Sequence, residues 1–277
     1  MNQELTQTFF LSAGETDAEG KLSLPLLTSK IIDIATAHAN SLGIGNPSMA
    51  HLRRGWVLSR LAIEMTEYPK VNDSYSLTTW VESWNRHFSE RNFAITAADG
   101  RVLGYARSIW MVLDTETRES TGLSHLNLPE GIISSRECPI PRQGKHHLIL
   151  PLSFDGELPR GAVKSTAEPQ HYTFKYCDID YYRHVNTVRY VQMLLNRFSL
   201  EFFDTHEIER MELTFMRESL YGQTVAINRA DNGCETLFSL NNSDTSEPLL
   251  FAMLRFRSCV TIQRTRRDDH DYGHNLS

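Results

Sequence analysis

Two segments of the chain repeat apolar side chains at the spacing of a helix with one buried face. The first segment follows Ser23 and ends near Gly43, and the second follows Asn186. The positions that mark this face are Leu27, Ile31, Ile34 and His38 in the first, and Val188, Val191, Leu195, Phe198 and Phe202 in the second. Ser and Asn are favoured N-caps, and Gly commonly follows a helix C-terminus. The pattern therefore predicts one long helix in each half, the second marked as far as Phe202.

Alternating apolar and polar residues after each helix predict strands. In the first half these are residues 60–65, 75–80 and 93–114, the last folded around a turn at Asp99-Gly100. Their counterparts in the second half are residues 210–215, 224–229 and 235–260. A period of two is typical of a strand with one buried face. We therefore predict an α+β fold in which each half is a long helix against several antiparallel strands.

The segment between the halves differs from both in composition. Five of the ten prolines fall within it, at positions 129, 139, 141, 151 and 159, and Pro169 closes it. Long connections of this kind usually run over the surface. We predict a first domain over residues 1–118, a linker over 119–169 that crosses the outside of both units, a second domain over 170–263 and a disordered tail over 264–277.

The halves are also related by an internal repeat. A shift of 163 residues pairs three polar positions of the turn before each helix: Asp17 with Asp180, Lys21 with His184 and Ser23 with Asn186. The strands that follow match at a shift of 150 residues, which places Tyr68 on Glu218. The aspartate is the polar group that both copies share. The repeat therefore predicts a single candidate site, at the turn that leads into the second helix.

Composition restricts the class of protein. The 277 residues are 40% hydrophobic and 22% charged, as in ordinary globular proteins, and no apolar run is long enough to span a bilayer. The net charge of −6 argues against nucleic-acid binding. The four cysteines lie far apart without a CxxC motif, and the N-terminus has no apolar signal region. We expect a cytoplasmic protein with reduced thiols.

The turn before the second helix resembles a known active site. It contains the run D-x-x-x-H-V-N-x-x-x-Y, from Asp180 through His184 and Asn186 to Tyr190. This run is similar to the active-site segment of hotdog-fold thioesterases. With GWVLSRLAIEM in the first half and HVNTVRY in the second, the chain resembles the acyl-ACP thioesterases of plants and bacteria over about residues 8–260. The resemblance implies two fused hotdog units, each a long helix wrapped by an antiparallel sheet.

The resemblance also implies roles for individual residues. The catalytic groups would be Asp180, His184 and Glu218, in the second unit. Tyr182 stands where the family motif has an asparagine, and we expect it to contact substrate together with Asn186. The first unit would shape the acyl pocket with aromatic residues, of which Trp56 and Trp80 are the main candidates. No metal and no cofactor is implied.

The implied reaction is hydrolysis of fatty acyl-ACP to free fatty acid and holo-ACP. The partner would be acyl carrier protein bearing a fatty acyl phosphopantetheine thioester, an acidic protein that basic side chains could meet. Candidates for that contact are Arg86, Arg91, Arg183, Arg189, Arg197 and Arg217. We expect no membrane partner, and a homodimer of two such chains remains open.

Three alternatives stay open on the sequence. An acyl-CoA thioesterase of the same fold would use the same turn. A catalytically silent acyl-binding protein is suggested by Tyr182 in place of the family asparagine. A hotdog hydratase or dehydratase is less consistent with the resemblance to two-unit thioesterases, which includes Glu218. The acyl chain length is not fixed by the sequence, because the floor of the pocket depends on packing.

Overall fold

The computed structural model describes residues 3–124, 126 and 130–258 of the chain. The first half folds into β1 (Glu4–Phe10), α1 (Leu24–Ser41), α2 (Asn46–His51), β2 (Arg54–Met65), β3 (Ser74–Trp84), β4 (Ser89–Ala97) and β5 (Val102–Asp114). The linker contains β6 (Leu148–Leu150) and β7 (Ala162–Lys164). The second half folds into β8 (Gln170–Thr173), α3 (Thr187–Leu195), α4 (Leu200–Phe203), β9 (His206–Phe215), β10 (Thr224–Asn232), β11 (Glu235–Asn242) and β12 (Pro248–Ser258). The α+β class and the predicted strands are confirmed.

Ten of these strands form one sheet, and its two central strands come from different halves. The order is β1-β3-β4-β5-β2-β9-β12-β11-β10-β8, with antiparallel pairing throughout. Strands β6 and β7 form a separate parallel pair. The two halves are therefore joined edge to edge, where β2 meets β9.

The pairing of β2 with β9 has the register of a twofold axis. Two cross-strand pairs show this register: Leu61 with Leu213, and Ile63 with Met211. The shift of 150 residues that relates the halves converts each of these pairs into the other. All four side chains are buried in the main hydrophobic core. The internal repeat is thus present in the structure as a pseudo-twofold relation about this seam.

The first helix forms as predicted. Ser23 precedes α1, and its hydroxyl accepts a hydrogen bond from the Leu26 N–H at 3.4 Å. The predicted apolar positions of α1 are buried, together with His38. Helices α1 and α3 pack against each other over the sheet, so the core lies between the helices and the strands.

The second helix is shorter than predicted. Helix α3 ends at Leu195, and α4 begins after Ser199, whose hydroxyl accepts a hydrogen bond from the Phe202 N–H at 3.2 Å. Between the two helices the Phe198 ring packs on Phe256, with 5.0 Å between ring centroids. The prediction of one helix as far as Phe202 is wrong, because a second N-cap and aromatic packing together favour a break.

The linker covers the sheet face that points away from α1. Side chains alternate along a strand, so Leu77 of β3 faces the core under α1 whereas Trp80 faces the other side. The Trp80 indole donates to the Arg136 carbonyl at 2.7 Å. Farther along, the Gln143 side chain donates to the Leu213 carbonyl of β9 at 2.9 Å. The linker therefore crosses strands of both halves.

The sequence also predicts that no helix crosses a membrane and that the cysteines are reduced. Among the described helices, none has the length and apolar character needed to cross a bilayer. Cys138, Cys177 and Cys234 are free thiols. Cys259 and the predicted tail over residues 264–277 lie outside the described residues.

The seam between the halves should be sensitive to loss of Arg210. Its side chain is 2% exposed and contacts Glu64 of the first half at 2.6 Å and Glu212 at 2.7 Å. Replacing Arg210 by Met leaves two carboxylates without their cation. We expect Arg210→Met to lower the free energy of unfolding by roughly 3 kcal/mol, measured by urea titration. Arg255→Met is the matched control, because Arg255 is 38% exposed beside Glu235 and should cost less than about 1 kcal/mol. Equal losses in the two variants would contradict the expected role of Arg210.

Candidate active site

The turn before α3 is organised by the Asp180 carboxylate. Its Oδ1 accepts hydrogen bonds from the N–H groups of Tyr182 at 2.9 Å and His184 at 3.1 Å. The Asp180 N–H donates to the His184 carbonyl at 2.8 Å. Arg183 lies in the left-handed region with φ of 71°. Asp180 therefore fixes the backbone of His184 through hydrogen bonds to its N–H and carbonyl groups.

The first half contains the same turn with different side chains. Asp17 Oδ1 accepts from the N–H groups of Glu19 at 3.1 Å and Lys21 at 2.9 Å. Gly20, with φ of 72°, occupies the place that Arg183 has in the second half. Because a copy with lysine in place of histidine keeps the turn, the shared aspartate acts first as a former of the turn in both halves.

His184, Glu218 and Arg118 meet at one carboxylate oxygen. The His184 Nε2 lies 3.4 Å from the Glu218 Oε2, and the Arg118 guanidinium forms an ion pair with the same oxygen. Backbone pairing brings the Glu218 loop to the turn, because the Val185 N–H donates to the Ser219 carbonyl at 2.9 Å. The His184 side chain is 23% exposed and that of Glu218 is 36% exposed. The pair is therefore anchored but still accessible to water.

Helix α3 begins beside this cluster. The Asn186 Oδ1 accepts a hydrogen bond from the Val188 N–H at 2.9 Å, which confirms Asn186 as the N-cap. The first turn of a helix presents N–H groups and a positive dipole end that favour negative charge. A carboxylate that can take a proton and a helix N-terminus that can stabilise an oxyanion are thus close together. This arrangement suits attack of water on a carbonyl carbon.

Tyr182 lies at the edge of the cluster. Its ring packs on Tyr181 with 3.8 Å between centroids, and the side chain is half exposed. Partial desolvation and a hydrogen bond with Tyr181 raise the pKa of Tyr182 to about 12. The hydroxyl therefore stays protonated at neutral pH and can donate a hydrogen bond, but it does not act as a base.

A cavity of about 40 Å³ lies in the first half, between α1 and the strands. Three of the four tryptophans line it: Trp56, Trp84 and Trp110. The Trp56 indole donates to the Ile44 carbonyl at 2.7 Å, and its ring meets Trp84 edge to face. Trp56 is therefore held in the wall of this cavity by a hydrogen bond and a ring contact. Trp80 is fully buried beneath the linker and is not among the lining residues.

The paired strands β2 and β5 connect the cavity with the His184 cluster. Trp56 of the cavity wall pairs with Val112, and the next pair on the same face of the ribbon joins Arg54 to Asp114. The Arg118 N–H donates to the Asp114 carbonyl at 3.0 Å. Since Arg118 contacts Glu218, the cavity wall and the carboxylate lie at the same end of the β2–β5 ribbon.

Two arginines have places that the sequence analysis does not predict. Arg118 belongs to the first half, and nothing in its local sequence indicates a contact with Glu218 of the second half. Arg91 is expected on the surface as a contact for carrier protein, but it is 5% exposed and lines the cavity, so that expectation is wrong. The alternation of side chains along β4 could have predicted that Arg91 is buried, because Arg91 shares a strand face with the buried Phe93 and Ile95.

Two protein-family models match the chain. The acyl-ACP thioesterase N-terminal domain matches residues 2–124, and the acyl-ACP thioesterase C-terminal domain matches residues 162–252. Together the two matches cover more than half of the chain. The first contains the cavity and Arg118, and the second contains Asp180, His184 and Glu218.

Curated relatives come from plants. An oleoyl-acyl carrier protein thioesterase of Arabidopsis thaliana is 24% identical over 282 residues, which covers 98% of this chain and 71% of that protein. A palmitoyl-acyl carrier protein thioesterase of Gossypium hirsutum is 24% identical over 226 residues, covering 77% of this chain and 51% of that protein. Both relatives are named as chloroplastic. The chain thus spans between half and about seven tenths of these relatives.

Solved structures share the whole architecture. An acyl-ACP thioesterase from Bacteroides thetaiotaomicron superposes with a TM-score of 0.81 at 29% identity, over 92% of this chain and 98% of that chain. The 12:0-ACP thioesterase of Umbellularia californica gives a TM-score of 0.73 at 17% identity, over 93% and 95% of the two chains. The predicted hotdog fold is thereby confirmed.

The shared turn predicts how substitutions of its aspartate affect stability. Asp180→Ala removes the acceptor of two backbone N–H groups, so we expect the free energy of unfolding to fall by roughly 2 kcal/mol in urea titration. Asp180→Asn keeps an acceptor oxygen and should cost less. Asp17→Ala is the matched control in the first half and should cost about as much as Asp180→Ala. A negligible effect of both alanine substitutions would exclude this role of the aspartates.

Proposed function

Because the chain belongs to the acyl-ACP thioesterase family, we propose that it hydrolyses the thioester of a fatty acyl chain carried on acyl carrier protein. The products are free fatty acid and holo-ACP. The observation that carries the proposal is the approach of His184 to Glu218, 3.4 Å apart at the mouth of α3. The names of the relatives identify those proteins as thioesterases that act on acyl carrier protein, and we propose the same reaction for this chain.

In the proposed reaction Glu218 is the general base. The closest contacts of His184 and Arg118 both fall on Oε2, so we assign Oε1 to take a proton from water. The hydroxide oxygen forms a bond with the thioester carbon. The tetrahedral intermediate then collapses, the carbon–sulfur bond breaks, and the proton passes to the departing phosphopantetheine sulfur. Removal of a proton by a positioned side chain supplies about 10²- to 10⁴-fold of rate.

His184 and the start of α3 would act on the oxyanion. Imidazole can donate a hydrogen bond to the carbonyl oxygen, and the first-turn amides of α3 add a positive dipole end. Asn186 holds this turn of helix through its bond from Val188. Asp180 acts as a positioning residue, because it binds the backbone N–H of His184. Tyr182 supplies a hydroxyl donor at the rim.

The tryptophan-lined cavity is the proposed site for the end of the acyl chain remote from the thioester. It belongs to the first unit and lies at the end of the ribbon that bears Arg118. Trp56 and Trp84 offer apolar surface to such a chain. Trp80 is left out of this proposal, because it packs on Cys138 and Ile140 of the linker.

The domain limits, the cytoplasmic location and the homodimer remain predictions.

The proposal is tested with a panel of acyl chains presented on ACP and on CoA. We expect thiol release with every chain that fits, and a higher kcat/KM for ACP than for CoA at equal chain length. Faster turnover of CoA thioesters would overturn the carrier assignment. Binding of acyl-ACP without thiol release would identify a silent acyl-binding protein instead.

Glu218→Gln should remove the base and keep the shape of the side chain. We expect kcat to fall about 10²-fold or more with unchanged thermal stability. Glu247→Gln is the control, because Glu247 is an exposed carboxylate that pairs with Arg217. Wild-type turnover in Glu218→Gln would remove Glu218 from the reaction.

Arg118 should act as a positioning residue for Glu218. Arg118→Ala frees the carboxylate, and misplacement of a reacting group by about 1 Å costs up to about 10²-fold in rate. We expect kcat to fall more than KM rises, because the carboxylate loses the ion pair that positions it. Arg118→Lys should recover part of the rate. Loss of stability with unchanged kcat would indicate a structural role alone.

A further inference from the structure

Strand β4 places a charged side chain on its buried face. Ser89, Arg91, Phe93 and Ile95 alternate with residues of the opposite face and point toward α1. Phe93 and Ile95 belong to the main core, and Arg91 continues their row at 5% exposure. An arginine at a position where the strand pattern calls for an apolar residue carries a considerable cost in desolvation.

The neighbours of Arg91 do not neutralise its charge. Its Nη1 lies 2.7 Å from the His38 Nδ1 and donates to the Thr79 hydroxyl at 3.3 Å. Guanidinium only donates, so the His38 Nδ1 accepts and its proton is on Nε2. Burial lowers the pKa of Arg91 to about 10, so it is still a cation at neutral pH. Among the described residues no carboxylate pairs with it, and both hydrogen bonds use Nη1.

Arg91 is part of the wall of the tryptophan-lined cavity. Arg91, Ser89 and Thr36 are the polar members of this wall, which is otherwise built from tryptophans, alanines, Ile44 and Gly45. The cavity of about 40 Å³ can take the last atoms of an acyl chain that end in a small polar group, since one water occupies roughly 10–15 Å³ on this measure. A buried cation whose two side-chain hydrogen bonds both use Nη1, beside a small space, defines a site for an oxygen atom.

We propose that Arg91 makes this cavity selective for acyl chains that carry a hydrogen-bond-accepting oxygen remote from the thioester. The oxygen of a hydroxyl, oxo or carboxylate group would accept from the guanidinium, with the Ser89 hydroxyl beside it. The tryptophan rings would contact the carbons that lead to this group. This inference rests on the proposed function, because it names the class of acyl chain that the same site takes.

The test compares acyl-ACP pairs of equal carbon number, one unsubstituted and one with a terminal hydroxyl, oxo or carboxylate group. We expect wild-type kcat/KM to favour the oxygenated member by about tenfold or more, the usual effect of a hydrogen bond to a charged group. In Arg91→Met the preference should reverse, because the cavity becomes apolar at similar volume. Arg255→Met should keep the wild-type ratio. Comparison of the hydroxyl, oxo and carboxylate chains shows whether the preference depends on the charge of the oxygen group or on hydrogen bonding alone.

Equal turnover of both members of each pair by the wild type would overturn the inference and leave Arg91 as a structural link between β4 and α1. An unchanged ratio in Arg91→Met would do the same. If Arg91→Met does not fold, Arg91→Lys serves instead and should retain a reduced preference. Calorimetric binding of free hydroxy, oxo and dicarboxylic acids to the wild type needs no turnover. Preferential binding of these acids without any hydrolysis would sustain the inference and contradict the proposed function.

Discussion

The pairing of β2 with β9 is the constraint on which the rest of the structure depends. It turns two five-stranded units into one continuous sheet and fixes their relative position through a twofold register. Because the seam is buried and holds Arg210 between Glu64 and Glu212, the units cannot slide by one residue without exposing core side chains. This register sets where first-half and second-half residues can meet, as Arg118 and Glu218 do.

The two halves keep a common frame and differ in the side chains placed on it. Both have the aspartate-closed turn, and in both the turn leads into a capped helix. The second half has His184 and Glu218 where the first has Lys21 and Tyr68. The Tyr68 hydroxyl donates to the Ile208 carbonyl at 2.9 Å and is buried. The second half therefore holds the groups that could react, His184 and Glu218. The first half supplies the cavity walls and Arg118, the cation that pairs with Glu218.

Much of the fold follows from local patterns in the sequence. Strand alternation and the Ser23 and Asn186 caps locate the elements, and the repeat identifies the turn that carries His184. The break after α3 escapes the periodicity, because it depends on Phe198 packing with residues distant in the chain. Arg118 escapes for the same reason, since its partner belongs to the other half. The residue type of Trp80 and Arg91 does not predict their surroundings, because these depend on which strand face each residue occupies. Trp80 lies on the face that the linker covers, and Arg91 lies on the face that lines the cavity.

The degenerate copy has an ionic arrangement of its own. Lys21, at the position of His184, pairs with Glu207 of the second half at 2.5 Å, and Arg257 pairs with the same glutamate. The Arg257 guanidinium also donates to the Met65 carbonyl of the first half at 2.8 Å. The first copy of the turn therefore holds the two units together through ion pairs. The same turn geometry thus contributes cohesion at one end of the pseudo-dimer, and the proposed reaction is assigned to the other end.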